Sequence, residues 1–405
     1  MNVPKLRFKA DDGSEFPEWE EKTFSEILSE NKIPIPKPTN GYERLGIRSH
    51  GKGTFHEYVP AGEGLDVDTM YVVEAYNLIL NITFAWEQAI AVTDDKDDGK
   101  LVSHRFPQYK FNDGFDWHYF KYDILDKKLK HELGLASPGG AGRNRVLNKS
   151  DFLKIKRVVP CLNEQKKIAS FLSTIDEIIT TSEAELTAWQ ERKKGVIQKI
   201  FNREVRFKAD DGTDFPEWEE AEIGKVGTFI KGAALSKADI SDTGTPFVLY
   251  GELYTTYKEI AYTIKRKTEA VVDEKYYSKI GDVVIPTSGE SPEEISTATC
   301  IMVPNVILAG DLNIFRSSII DGRIMSYILN YQAKNKIATI AQGKSIVHIQ
   351  AKELSKIKIK FPIDANEQKK IADCLYSLDD VINQIQTELS AWKEFKKGLL
   401  QQMFA

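Results

Sequence analysis

The chain has 405 residues, of which 41% are apolar, with 20 Phe, 16 Tyr and 6 Trp, and its formal net charge is −5. That length exceeds what one core usually supports and the aromatic content is ample for buried cores, so two domains of about 150 residues are expected and disorder is excluded. Cys161, Cys300 and Cys374 are too scattered for a disulfide framework or zinc site, and no apolar run approaches the roughly 20 residues that span a bilayer. With no signal-peptide stretch at Met1-Asn-Val-Pro-Lys-Leu-Arg-Phe, a soluble cytoplasmic protein is expected, with no membrane partner.

In chain order the first element is a leader, Arg7 to Glu21, reading RFKADDGSEFPEWEE. Asp11-Asp12-Gly13 is a turn signal, and Phe16-Pro17 with Trp19 supplies an aromatic anchor that is expected to pack a domain onto its neighbours. Next comes a stretch of short β-like runs, Tyr71-Val-Val73, Asn77-Leu-Ile-Leu80 and Ala89-Ile-Ala-Val92, with a helix predicted at 117–133. From Ile168 the positions Ile168, Leu172, Ile175, Ile179, Ser182, Leu186, Trp189, Lys193, Val196 and Ile200 step by 4 and 3, a heptad seam broken by two polar residues. Such a helix of about 38 residues would be roughly 57 Å long, and its narrow apolar stripe needs a partner.

Then the chain repeats itself. Arg206 to Glu220 reads RFKADDGTDFPEWEE, which differs from the first leader at two positions. A second insert follows with its own β-like runs, Pro246-Phe-Val-Leu-Tyr250, Asp282-Val-Val-Ile285 and Cys300-Ile-Met-Val303, and a helix predicted at 322–334. Asn163-Glu-Gln-Lys-Lys-Ile-Ala169 returns as Asn366-Glu-Gln-Lys-Lys-Ile-Ala372, and a second seam runs through Ile371, Leu375, Leu378, Ile382, Ile385, Leu389, Trp392, Lys396, Leu399 and Met403. The inserts between leader and helix share almost no sequence. The expected division is 1–161, a first domain with its leader; 162–201, a first long helix; 202–363, a second domain with its leader; and 364–405, a second long helix.

The fold class expected is α+β: two globular domains separated by two long helices that form an antiparallel coiled coil, with a pseudo-twofold internal repeat. Related segments pairing through the same face make a pseudo-twofold contact, and a twofold axis across the helices sets them antiparallel. Two readings of that pair stay open, a ruler that spaces the domains and a hairpin that only ties them together.

Charge by itself does not point to nucleic acid. The segment 1–21 carries 3 basic and 6 acidic residues and the segment 202–220 carries 3 and 7, so the leaders hold −7 and the remainder +2. Motifs of catalysis are missing from the sequence: there is no phosphate-binding Gly-x-x-x-x-Gly-Lys loop, no dinucleotide fingerprint, and the six histidines lack zinc-ligand spacing. A non-catalytic chain that directs the chemistry of partners is expected.

The Phe-Pro-Glu-Trp-Glu-Glu leader, the Asn-Glu-Gln-Lys-Lys-Ile-Ala helix start and the Trp-x-x-x-Lys-Lys-Gly close, doubled around dissimilar inserts, resemble specificity subunits of type I restriction-modification systems. The resemblance covers the whole chain. It implies two target recognition domains, each reading one half of a bipartite double-stranded DNA target. It further implies helices that set the spacer and dock two methyltransferase subunits, with restriction (motor-nuclease) subunits joining for cleavage. No cofactor is expected on this chain; S-adenosylmethionine would belong to the methyltransferase, and ATP and magnesium to the restriction subunit.

Base reading needs cationic and amide side chains close to loops that can approach a backbone. In the first insert the candidates are Arg44, Arg48, His50, Lys52, Arg105, Arg143, Asn144 and Arg145. In the second they are Lys231, Lys237, Lys265, Arg266, Lys267, Ser288, Lys344, Ser345 and His348. Arg143, Arg145 and Lys344 lead, since both inserts place a cation after Gly at the matching point. Two alternatives remain, a cytoplasmic protein-binding scaffold without DNA specificity and a hydrolase whose nucleophile and base meet in a cleft.

Overall fold

The computed structural model describes residues 4–139, 145–341 and 347–404. The chain forms two compact units, Met1–Ala184 with Gln386–Ala405, and Glu185–Ile385. The expected four-part division runs through the ends of the long helices, whereas the units divide within them. The helices themselves span Leu162–Phe201 and Ala365–Met403.

In the first unit the described residues form a two-stranded sheet and two larger ones. One is antiparallel, ordered Leu28–Asn31, Gln108–Phe111, Leu78–Leu80, Ile90–Val92. The other is mixed, ordered Pro34–Pro36, Thr69–Val72, Leu101–Val102, Tyr42–Ile47, Thr54–Val59. Phe24, Tyr109, Tyr119, Phe120 and Phe152 are fully buried between sheet and helices, with Phe24 stacked on Phe152 at 4.8 Å. The predicted helix at 117–133 is two helices, Trp117–Asp123 and Lys127–Leu135, because Asp116 and Asp126 each cap a separate start.

The second unit has a five-stranded sheet, ordered Thr228–Lys231, Leu312–Arg316, Asp282–Pro286, Thr299–Ile301, Ile260–Ala261. A three-stranded sheet, Lys267–Thr268, Thr245–Leu249, Ile307–Ala309, lies in the same unit. The strand Lys358–Phe361 shows the period of two directly: Ile359 and Phe361 are buried while Lys358 and Lys360 face solvent. It pairs antiparallel with Glu219–Glu222, as Lys156–Val159 pairs with Glu20–Thr23 in the first unit.

The repeated motifs make one set of contacts twice. Glu164 is fully buried and accepts from Arg7 Nε at 3.1 Å, Arg7 Nη2 at 2.8 Å and Trp19 Nε1 at 3.1 Å. Glu367, equally buried, accepts from Arg206 Nε at 3.3 Å, Arg206 Nη2 at 3.2 Å and Trp218 Nε1 at 3.2 Å. Beside them Gln165 donates to the Pro160 carbonyl at 2.8 Å and accepts from the Asp116 amide at 2.8 Å. Gln368 repeats this with the Pro362 carbonyl at 2.8 Å and the Asp321 amide at 2.6 Å. Lys167 reaches Asp11, and Lys370 reaches Asp210, both at 2.6 Å. The leader therefore packs its domain onto the start of a long helix, and its conserved spelling within the chain is the spelling of one buried carboxylate and its donors.

Along the seams, Ile168, Leu172 and Ile175 are buried in the first unit together with Leu399, Met403 and Phe404. In the second unit Ile371 and Leu375 are buried together with Ile197 and Ile200, so Ile197 takes the place expected of Val196, which is only partly buried. Ile382 and Leu389 are buried, whereas Ile179, Leu186, Trp189, Leu378 and Trp392 are half-buried.

The polar seam position Lys193 is 8% exposed and lies 2.6 Å from Asp379 and 2.9 Å from Glu259. Tyr327 donates to Asp379 and Tyr331 to Glu259. Burial, and then the charge of Glu259, pushes Asp379 up; burial also acts to raise Glu259, but the Lys193 charge and the donors from Tyr331 and Lys193 outweigh it and hold that carboxyl low. In the first unit Lys396 pairs with Asp176, which also accepts from Tyr122 at 2.9 Å. That unit adds a buried ion cluster of its own, Arg157 with Asp123 at 2.8 Å and Asp126 at 3.0 Å.

Removing one member of such a buried set strands the other. Arg157→Ala should cost about 3–5 kcal/mol, read as a lower urea midpoint. Lys193→Met removes the cation between two buried carboxylates, so both folded-state pKa values should rise above their unfolded values. A raised carboxyl contributes stability that is fully present below its unfolded pKa, about 4, and lost as pH rises through the folded one. The deficit of that variant against wild type should therefore shrink as urea titrations move from pH 7 towards pH 4.

Candidate nucleic-acid interface

In the first unit the antiparallel strands Tyr42–Ile47 and Thr54–Val59 are joined by a loop in which His50, Gly51 and Gly53 take positive φ of 64°, 64° and 77°. That turn lifts Arg48, His50 and Lys52 to the exposed surface. Arg48 Nη1 donates to the Thr54 carbonyl, and its guanidinium lies 5.0 Å from the Phe55 ring centroid. Beside the hairpin is a groove of about 700 Å³ lined by both Arg44 and Arg105. Gly46 forms part of its wall, and a Cβ there would sit 2.3 Å from the Phe55 ring, so only glycine lets that ring lie across the strand.

Asn81, Thr83, Ser103 and His104 line the same groove, with Phe55 and Phe84 exposed along it. These residues escaped the sequence reading because polar side chains between strands look like ordinary loop. Asn81 and Thr83 follow directly on the apolar strand Leu78–Leu80, which is the signal that could have found them. Cations, amide, hydroxyls and aromatic faces in one concave surface are the donor and stacking set that reads base edges.

Arg145, a leading candidate, is turned inward. Nε and Nη2 donate to the carbonyls of Ser137 and Gly134 at 3.1 and 2.7 Å, and the guanidinium lies 5.4 Å from the Trp86 ring centroid. Those contacts make it a clamp on the loop. Arg143, Asn144, Lys344 and Ser345 lie outside the described residues.

In the second unit a groove of about 960 Å³ is lined by Lys231, Lys237 and Arg266, together with Ser236, Tyr250, Thr255 and Tyr276. Arg266 Nε is held 3.0 Å from Glu252 Oε1, a carboxylate 3% exposed. Burial raises the Glu252 pKa, against the Leu249 amide and Arg266. Lys265 and Lys267 flank Arg266 and are exposed.

Ser288 and His348 sit on the paired strands Ser288–Gly289 and Val347–His348 and do not line this groove. Ser288 Oγ is 3.0 Å from His348 Nδ1 and 3.2 Å from Asp311 Oδ2. A hydroxyl beside an imidazole is what a hydrolase requires, but here the carboxylate accepts from the serine, and among the described residues none orients the imidazole. Among the described residues no group of three or more His, Cys, Asp or Glu could hold a metal ion.

The family profile described as "Type I restriction modification DNA specificity domain" matches residues 68–188 and 216–391, well over half of the chain. The chain belongs to that family. Among curated relatives, the type I restriction enzyme MjaVIII specificity subunit of Methanocaldococcus jannaschii is 26% identical over 303 residues, covering 69% of this chain and 68% of the relative. A chain of the same organism, named as the MjaX specificity subunit, is 29% identical over 297 residues, covering 70% of this chain and 66% of that one. This specificity-family chain thus spans about two thirds of the length of both.

Solved structures share the fold. The S subunit of a type I restriction-modification system from M. genitalium matches with a TM-score of 0.62 at 14% identity, over 100% of this chain and 99% of that one. A chain from a structure titled as the complex assembly and conformational transition of the type I R-M system matches with a TM-score of 0.55 at 15% identity, over 96% of this chain and 98% of that one. Mixed helix and sheet in two domains is therefore the fold of the family.

Replacing a groove cation and replacing the inward arginine should separate reading from folding. Arg44→Ala with Arg105→Ala should weaken binding to the cognate duplex by about 1–3 kcal/mol per lost base contact and relax sequence preference in one half-site only. Arg145→Ala should lower thermal stability while the recognised sequence stays the same, as read by competition binding with half-site variants.

Proposed function

We propose that this chain is a non-catalytic, sequence-specific DNA-binding subunit in which each α+β domain reads one half of a bipartite target. The long helices form an antiparallel coiled coil that sets the spacer between half-sites and docks two methyltransferase subunits, with restriction subunits joining for cleavage. Chemistry is supplied by those partners, S-adenosylmethionine by the methyltransferase and ATP with magnesium by the restriction subunit. The complex acts on double-stranded DNA in the cytoplasm.

The observation that carries the reading is the doubled contact set around two unlike grooves. Glu164 and Glu367 hold their leaders in the same way, while the groove in the first unit carries Arg44 and Arg105 and the groove in the second carries Lys231, Lys237 and Arg266. One frame with two different readers is what an asymmetric target demands. The antiparallel pairing is supported from each unit by itself: Lys396, late in the second helix, meets Asp176, early in the first, and Lys193, late in the first, meets Asp379, early in the second. Joint reading by both domains raises the effective concentration of each half-site for its reader, so modest half-affinities combine.

A heptad inserted at matched points of both helices would add about 10 Å at 1.5 Å per residue, close to three base pairs at 3.4 Å. Methylome sequencing of cells that express the variant with its methyltransferase should return the same two half-sites with a longer spacer. Altered half-site bases at an unchanged spacer would count against the ruler.

A further inference from the structure

The first unit carries a second concave surface that base reading does not use. It is a groove of about 760 Å³ lined by Lys5, Lys127, Lys128, Lys393, Lys396 and Lys397, with Tyr122, Leu125, Leu400 and Phe404 among its apolar lining. Asp126, the one carboxylate among its lining residues, is taken up by Arg157 at 3.0 Å. Lys127 and Lys128 are exposed, and among the described residues neither has a carboxylate within ion-pair distance. Lys393 meets Glu183 at 2.6 Å and Lys397 meets Glu394 at 3.2 Å, in pairs at least half exposed, which cost little to exchange for another anion.

This surface continues the reader hairpin. Lys130 Nζ lies 3.4 Å from His50 Nδ1. A Cβ on Gly51 would strike Leu125 Cδ2 at 2.6 Å, so the hairpin loop rests against the same leucine that lines the groove. Arg48, His50 and Lys52 thus lead through Lys130 to Lys127 and Lys128 and on to Lys397. In the second unit the cavity at Lys193, the counterpart of Lys396, is about 360 Å³ and is lined by Glu259 and Asp379, both paired with Lys193, as well as by Lys258 and Lys334. The cationic run belongs to one half of the repeat.

We infer that this lysine run is a sequence-independent track for the phosphate backbone of duplex DNA, placed beside the first reader and absent from the matching cavity of the second. Lysine is a compact point charge without the planar fork that reads guanine, which suits phosphate contact. A local excess of cations in a chain of net charge −5 is the electrostatic footprint of a polyanion. Continuity with the hairpin favours DNA over an acidic partner protein. The inference rests on the DNA-binding reading above.

The test uses the full chain co-expressed with its methyltransferase, bearing Lys127→Gln, Lys128→Gln and Lys397→Gln together, and measures affinity for cognate and unrelated duplexes across a salt series. The dependence of log affinity on log salt should become shallower by roughly two to three, as expected for three lost phosphate contacts. Affinity for both duplexes should fall by the same factor, the methylated sequence should not change, and the corresponding triple Arg variant should restore the slope. An unchanged slope, or a loss confined to the cognate sequence, overturns the track. So does intact DNA binding with loss of methyltransferase from the purified complex, which would mark an acidic protein surface as the occupant. If the wild-type complex selects no sequence, the proposed function itself falls; if it selects and the variant matches it, only the track falls.

Discussion

A carboxylate at the start of each long helix has no access to water, and the rest of the frame follows from satisfying it. Glu164 and Glu367 are both fully buried, where an unpaired charge would be prohibitive. Each is met by one arginine and one indole from a leader more than 140 residues earlier in the chain. The neighbouring glutamine closes the backbone of the loop that delivers the helix, and the lysine two residues beyond it ties the leader turn. A domain inserted between leader and helix is thereby anchored whatever its own sequence, which is why two inserts with almost no common sequence can share one frame.

The polar positions in the seams follow the same rule with a different outcome in each unit. Lys193 is enclosed by two carboxylates and two tyrosine rings, while Lys396 has Asp176 and the Tyr122 ring and stays partly exposed. A lysine at a seam position costs stability against an apolar residue but restricts which partner segment fits, since only a register that presents a carboxylate leaves it satisfied. The second unit surrounds its lysine with one acid from its insert, Glu259, and one from its long helix, Asp379; the first places its extra acids around Arg157 and leaves an open cationic groove nearby. Units built on one frame therefore differ in how they neutralise the charge next to it.

Much of the frame was legible from residues alone. The doubled leader and helix start, the long helices and the short strand runs at Leu78–Leu80 or Asp282–Pro286 follow from repetition and periodicity, which are local signals. The candidate sites were legible only in part. Arg44, Arg105, Lys231, Lys237 and Arg266 do line grooves, because cations near Gly-rich turns are often surface groups. Arg145 had the same local signature and turned out to bind carbonyls, since the direction of a side chain depends on a loop and a tryptophan ring distant in sequence. Asn81 and Thr83 were marked only by their place after the strand Leu78–Leu80, and His104 and Phe84 carried no distinguishing pattern at all.

The sequence by itself determined the duplicated architecture, the family and the long amphipathic helices, because identical spelling and a heptad stripe need no knowledge of distant contacts. Only the tertiary structure decided that Glu164 and Glu367 are the points on which the leaders close, that Ile197 and not Val196 is the buried seam residue, and which cations share a groove. Those outcomes depend on residues tens to hundreds of positions apart being brought within a few ångströms, and one-dimensional patterns do not record that.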